Sequence, residues 1–259
     1  MCIQTILLLV RFSNIYRRCN TILGIVKYQN GDLSLAETAF DRAMRIKPGY
    51  AEAHYNMGLV YRDQKRFDDA LAMFREAEKL NYDALKVREN IAGVYLLADS
   101  LDQAEKVYQS LGLEGSIDGY RGLIKIAIQK GELAKALAYG FTSVANMPGG
   151  DSFKLLAFVY EHNAEGKRYG PGFDADKAIH AYERGIEFES KDVVLHFNLS
   201  IIHGRLGNWE KSLMEMKRAH KLDPNHEGVK KWLPEVEMRY NVSRRNPPQA
   251  RNGGSHNND

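Results

Sequence analysis

Residues 54–77 read HYNMGLVYRDQKRFDDALAMFREA, and residues 198–219 read NLSIIHGRLGNWEKSLMEMKRA. Each begins with Asn or its neighbour, passes a small residue, crosses a polar stretch and closes on a small residue, a bulky one and an alanine. In the first copy the closing trio is Ala70, Phe74 and Ala77; in the second it is Ser212, Met216 and Ala219. Two segments that share an order of residue types but few letters describe one structural unit used twice.

The unit extends in both directions. Gly24, Gly58 and Ala92 stand 34 residues apart, and twelve residues after each comes Ala36, Ala70 or Ala104. Four further on come Phe40, Phe74 and Tyr108. Six copies follow, at 17–50, 51–84, 85–116, 117–149, 150–192 and 193–226. The spacing predicts two antiparallel helices per copy. Small residues at Gly24, Gly58, Ala92, Ala157 and Ser200 admit a close partner, and the aromatics fill the space around that contact. Gly31, Gly131 and Gly207 mark the turn between helices, and Pro48, Pro148 and Pro224 stop the second helix, since proline cannot continue the hydrogen-bond ladder.

This pattern resembles the tetratricopeptide repeat over residues 17–226. The resemblance implies an all-α, right-handed superhelical solenoid of about six helix-turn-helix repeats, with residues 227–242 as a capping helix. Pro234 is expected to bend or shorten that cap. Copy 4 departs from the pattern at Ala127 and Gly140, which suggests a soft joint. Copy 5 carries an insertion at 164–172. Residues 1–16 read as an apolar helix or an imperfect start. Residues 243–259 read as a disordered tail, because they lack apolar periodicity.

Composition narrows the function. The chain of 259 residues has a net charge of +3, of which residues 1–19 supply +3 and residues 244–259 supply +2, leaving −2 for the body. A broad basic footprint for nucleic acid is therefore not expected. The run ILLLV at 6–10 is too short to span a bilayer, and its positive charges follow it instead of preceding it. With only Cys2 and Cys19 there is no disulfide framework, which points to a reducing, cytoplasmic setting.

No reaction is legible. There is no nucleophile elbow or phosphate loop, and no catalytic residue, cofactor or metal is expected. His196 and His203 share a helix face, but no further ligand completes a tetrahedral set, so they read as packing residues. Asp68 and Asp69 open a second helix, where they complement its dipole.

The resemblance points to the first helix of each pair as the lining of a concave groove. It assigns groove positions to Tyr55, Asn56, Leu59 and Arg62, then Lys86 and Asn90, then Arg121 and Lys125, then Phe158, and finally Phe197, Asn198 and Arg205. Asparagine at such a position offers a donor and an acceptor to a peptide backbone. The carboxylate clamp of chaperone-binding members is matched only at Asn56 and Lys86; Thr21, Ile25 and Asn90 depart from it. Lys167, Arg168 and Tyr169 in the insertion form a second candidate contact. The expectation is a non-catalytic scaffold or adaptor that binds a protein or peptide, with self-association possible. The alternative is a regulatory or substrate-docking array for an enzyme on another subunit or a missing segment.

Overall fold

The computed structural model describes residues 3–245. The expected tail at 243–259 therefore lies outside the described residues, apart from its first three positions, which are helical. Thirteen α-helices occur among the described residues. They are α1 (Ile3–Gln29), α2 (Leu33–Ile46), α3 (Ala51–Asp63), α4 (Phe67–Lys79), α5 (Ala84–Leu97), α6 (Leu101–Leu113) and α7 (Ile117–Gln129), then α8 (Leu133–Asn146), α9 (Gly150–Tyr160), α10 (Ala175–Phe188), α11 (Val193–Arg205), α12 (Trp209–Leu222) and α13 (Glu227–Arg245). The chain is an all-α helical-repeat solenoid. Two compact units divide between Ile126 and Ala127, within α7.

In the first unit α1 packs on α2, α3 on α4 and α5 on α6. The contact is set by missing side chains. A methyl added at Gly24 would lie 2.6 Å from the Phe40 ring, and one at Gly58 would lie 2.7 Å from Phe74. Both rings are fully buried, each a gain of about 2–3 kcal/mol relative to exposure. Ala36, Ala70 and Ala104 are buried at the facing position.

The turns repeat as closely as the helices. The amide of Asp32 donates to the Lys27 carbonyl at 2.9 Å, Arg66 to Tyr61 at 2.8 Å and Ser100 to Tyr95 at 2.8 Å. Each bond closes a helix end through one residue in the left-handed region. Gly31 takes that place in the first turn (φ 81°), but Lys65 (φ 61°) and Asp99 (φ 54°) take it in the next two. Pro48 follows the end of α2 by two residues. The second copy has no proline; there Asn81, at φ 57°, ends α4.

In the second unit α9 packs on α10 and α11 on α12, and α13 lies against α12. Val229 and Val236 of α13 are buried with Met216 and Ala219. Of the two expected effects, bending or shortening, the second does not occur: Pro234 lies inside a helix that runs 19 residues. Burial of Val229 and Val236 on either side of the proline offsets its cost of about 3 kcal/mol. At the N-terminus α1 is one helix of 27 residues, Ile3–Gln29, that continues into the first repeat.

Candidate partner-binding site

In the first unit, four of the side chains assigned to the groove, Tyr55, Arg62, Lys86 and Asn90, meet in one network. Arg62 on α3 donates from Nη1 to Asn90 Oδ1 on α5 at 2.9 Å and from Nη2 to Tyr28 OH on α1 at 3.2 Å. Its Nε holds Asp63 at 2.8 Å, and the Tyr28 hydroxyl donates to the same carboxylate at 2.5 Å. One arginine thus spans the first helices of three repeats. Burial, and then the Asp63 carboxylate, push the Tyr28 phenol up to about 12, so it stays a neutral donor.

Asn90 is fully engaged. Its amide donates to Tyr55 OH at 3.0 Å and to the Lys86 carbonyl at 2.9 Å, while its oxygen takes the Arg62 bond. With both amide hydrogens engaged, it has no donor left for a peptide backbone. Tyr55 is buried, with its ring stacked on Tyr82 at 4.6 Å and the Lys86 ammonium 5.5 Å from its centroid. Asn56 donates to the Glu52 carbonyl at 2.9 Å. Leu59 packs against the core around Phe74. Arg121, ion-paired with Asp118, and Lys125 line a pocket of about 290 Å³ with Glu89 and Tyr108. Lys86 and Lys125 are exposed and form no ion pair among the described residues.

In the second unit, Phe158, Arg168, Tyr169 and Arg205 converge. The Arg168 guanidinium lies 5.4 Å from the Phe158 centroid and 4.8 Å from Tyr169; Arg205 covers Tyr169 at 4.1 Å. The insertion is not a free loop. Arg168 reaches back to Glu161, with Nη2 2.7 Å and Nε 2.8 Å from Oε2, and Glu161 is fully buried. Tyr182 donates to the other carboxylate oxygen at 2.8 Å. Buried Asn163 ties the loop internally, accepting from the Lys167 amide at 2.8 Å and donating to the Pro171 carbonyl at 3.2 Å. The Lys167 side chain is exposed.

The remaining assigned residues sit toward the last repeat. Phe197 meets His226 at 5.5 Å between centroids, and Asn198 is half-buried. Arg205 also lines a pocket of about 400 Å³ with Trp209, Trp232 and Arg239. His196 is buried, with Nδ1 2.6 Å from Glu215 Oε2 and Nε2 3.1 Å from the Ser190 carbonyl. Arg218 holds the second Glu215 oxygen at 2.6 Å. Among the described residues no group of three or more His, Cys, Asp or Glu side chains is placed to hold a metal. Nor, among the described residues, is any helix long and apolar enough to cross a membrane.

The reading of the residues missed Tyr28 and Asp63 in the first unit and Glu161, Tyr182 and Glu215 in the second. Tyr28 had a signal: it stands 34 residues before Arg62, at the same repeat position.

Hairpins with a constant small-against-aromatic contact, presenting first-helix polar side chains in register, define a helical-repeat protein. Sequence models of the tetratricopeptide repeat match residues 16–83 and 55–112, and the chain is a tetratricopeptide-repeat protein. It is 24% identical over 217 residues to the Protein CTR9 homolog of Arabidopsis thaliana, a match over 78% of this chain and 19% of that protein. The chain therefore spans about a fifth of the curated relative's length. Among solved structures, yeast Tom70 superposes with a TM-score of 0.64 at 13% identity, covering 82% of this chain and 45% of Tom70. The Cut9–Hcn1 hetero-tetramer of the APC/C gives 0.50 at 14% identity, covering 85% and 42%. At such identities the structural likeness is one of fold.

Proposed function

We propose that the protein is an interaction scaffold whose first-helix faces hold a segment of a partner protein. One observation carries this reading: among the described residues Lys86 and Lys125 stand exposed without forming an ion pair, Lys86 against the Tyr55 ring that bonds to Asn90 and Lys125 on the wall of the pocket it shares with Glu89 and Tyr108. A pre-set face with free cations binds without first ordering its own side chains. The tetratricopeptide fold and the similarity to the CTR9 homolog and to a subunit of a hetero-tetrameric assembly support a role in complexes. The scarcity of cysteine supports a reducing compartment, read as the cytoplasm. The partner segment is a peptide with acidic residues spaced to meet Lys86 and Lys125.

The test uses a photo-crosslinking residue at position 56, in native lysate, beside a Lys86→Glu, Lys125→Glu variant. Both lysines are exposed, so the fold stays intact, checked by circular dichroism. Crosslinks lost in the variant support the reading. The same crosslinked set in both proteins overturns it.

A further inference from the structure

Among the described side chains, the outer face of α1 from Phe12 to Val26 is apolar and uncovered. Its inner face is settled: Asn20, Thr21 and Gly24 are buried, with Gly24 against the Phe40 ring. The opposite face carries Phe12 at 65% exposure, Ile15 at 59%, Tyr16 at 58%, Ile22 at 59%, Leu23 at 44% and Val26 at 45%. Cys19, also exposed, sits in the middle. Phe12, Cys19 and Val26 are seven residues apart, with Ile15–Tyr16 and Ile22–Leu23 between them. That is the seven-residue seam by which one helix packs along another. It runs about 21 Å, at 1.5 Å per residue.

The charge around the seam says what fits it. No Asp or Glu occurs in α1, while the helix carries Arg11, Arg17, Arg18 and Lys27. Arg17 lies over the Tyr50 ring at 4.2 Å, and Lys27 holds Asp32 at 3.2 Å. Arg18, next to Cys19, is exposed and makes no ion pair among the described residues. Charges that flank a helix seam set partner choice. A second copy of this chain would bring arginine against arginine across an α1–α1 contact.

We propose that the face of α1 from Phe12 to Val26 docks an amphipathic α-helix of a partner protein, whose apolar seam is flanked by acidic side chains. This surface is distinct from the first-helix ledge of Arg62 and Asn90 and stands whether or not that ledge binds a peptide.

Cys19 supplies the readout. In the full chain with Cys2→Ser, it is the single thiol, and its alkylation by a maleimide reports cover on the seam. The probe is a synthetic helix of about three heptads, with leucine at the seam and glutamate beside it; the control keeps the leucines and carries lysine. With the acidic helix at about ten times its Kd, alkylation is expected to slow about tenfold, because reactivity follows the free fraction. The lysine helix is expected to give no protection. Arg18→Glu should reverse that preference, and Ile22→Asp should abolish protection. Ile22 is exposed, so its replacement leaves the fold in place; if its melting curve moves, Arg18→Glu carries the test alone. Lys86→Glu should change nothing, which separates this surface from the ledge. Equal protection by both helices, or by neither, overturns the proposal. So does a Cys19-linked dimer with a concentration-dependent mass, which would make a second copy the occupant.

Discussion

Each unit of the chain holds an arginine at the centre of a side-chain network, Arg62 in the first and Arg168 in the second, and the two face different acids. In the first unit Arg62 meets Asp63, whose side chain is 36% exposed; in the second Arg168 meets Glu161, whose side chain is fully buried. The residue types are nearly the same, since a tyrosine completes both networks: Tyr28 in one, Tyr182 in the other. The difference is who can replace the arginine. Water reaches Asp63 if Arg62 leaves. Around Glu161 it does not, so the carboxylate would be stranded. The first network is a brace on a surface, and the second is an anchor that fixes the insertion to the α9–α10 hairpin.

The largest expected effect tests that anchor. Arg168→Ala should destabilise the second unit by about 3 kcal/mol, the cost of an uncompensated buried charge. The chain has two tryptophans, Trp209 and Trp232, both in the second unit, so fluorescence-detected urea unfolding reads that unit. Replacing the whole group by Glu161→Leu, Arg168→Met and Tyr182→Phe should recover most of the loss, because no charge is then buried. If Arg168→Ala alone is neutral, Glu161 is hydrated and the contrast with Arg62 collapses.

Tyr182→Phe is a milder version of the same break. It removes one donor to Glu161 and leaves the Arg168 pair, so the expected cost is about 2 kcal/mol, typical of a hydrogen bond to a charged group. Burial, followed by the neighbouring carboxylate, holds the Tyr182 phenol well above its usual range, so this effect should not vary between pH 6 and 9.

His196 and Glu215 form a second buried pair in the same unit, and here pH is the lever. The hydrogen bond to Glu215 raises the His196 pKa above its usual 6.5, more than burial lowers it. A group raised on folding contributes its full stability below its unfolded pKa and loses it as pH rises through the folded one. The stability difference between the wild type and His196→Asn should therefore be largest below about pH 6.5 and shrink above it. Burial lowers the His203 pKa and gives the opposite slope, which is why the variant difference is the quantity to measure. A difference that grows with pH would mean the pair is held neutral.

How much of this was legible depended on whether a residue served its own repeat or a neighbour. Gly24 and Phe40 meet within the first copy and Gly58 and Phe74 within the second, so a 34-residue period displays them. Copy 4 departs from the pattern because its small residues serve neighbouring copies: Gly122 of α7 lies under the Tyr108 ring, Gly119 abuts the backbone at Gly112, and Gly140 of α8 packs on Leu156 of α9. The position of Asn90 was readable, but its engagement was not. Nothing in its own copy shows that Arg62, 28 residues earlier, would take its oxygen. Glu161 lay outside any pattern, since a lone acid before an insertion has no period. Its role appears only when the chain turns and returns Arg168 to it.

The smallest expected effect falls on the brace. Arg62→Ala removes the bonds to Asn90, Tyr28 and Asp63 at once, yet both charged side chains of its ion pair are part-exposed. The expected cost is about 0.5–1 kcal/mol, reduced further by salt, because water takes over each released group. A double-mutant cycle with Asn90→Ala should return a coupling of about 0.5 kcal/mol. Circular dichroism follows it, as the tryptophans do not report on this unit. A cost above about 2 kcal/mol would show that one arginine spanning three helices couples the repeats cooperatively even in water. Burial of the acid would then no longer explain why the two arginines differ, and span would replace it as the governing variable.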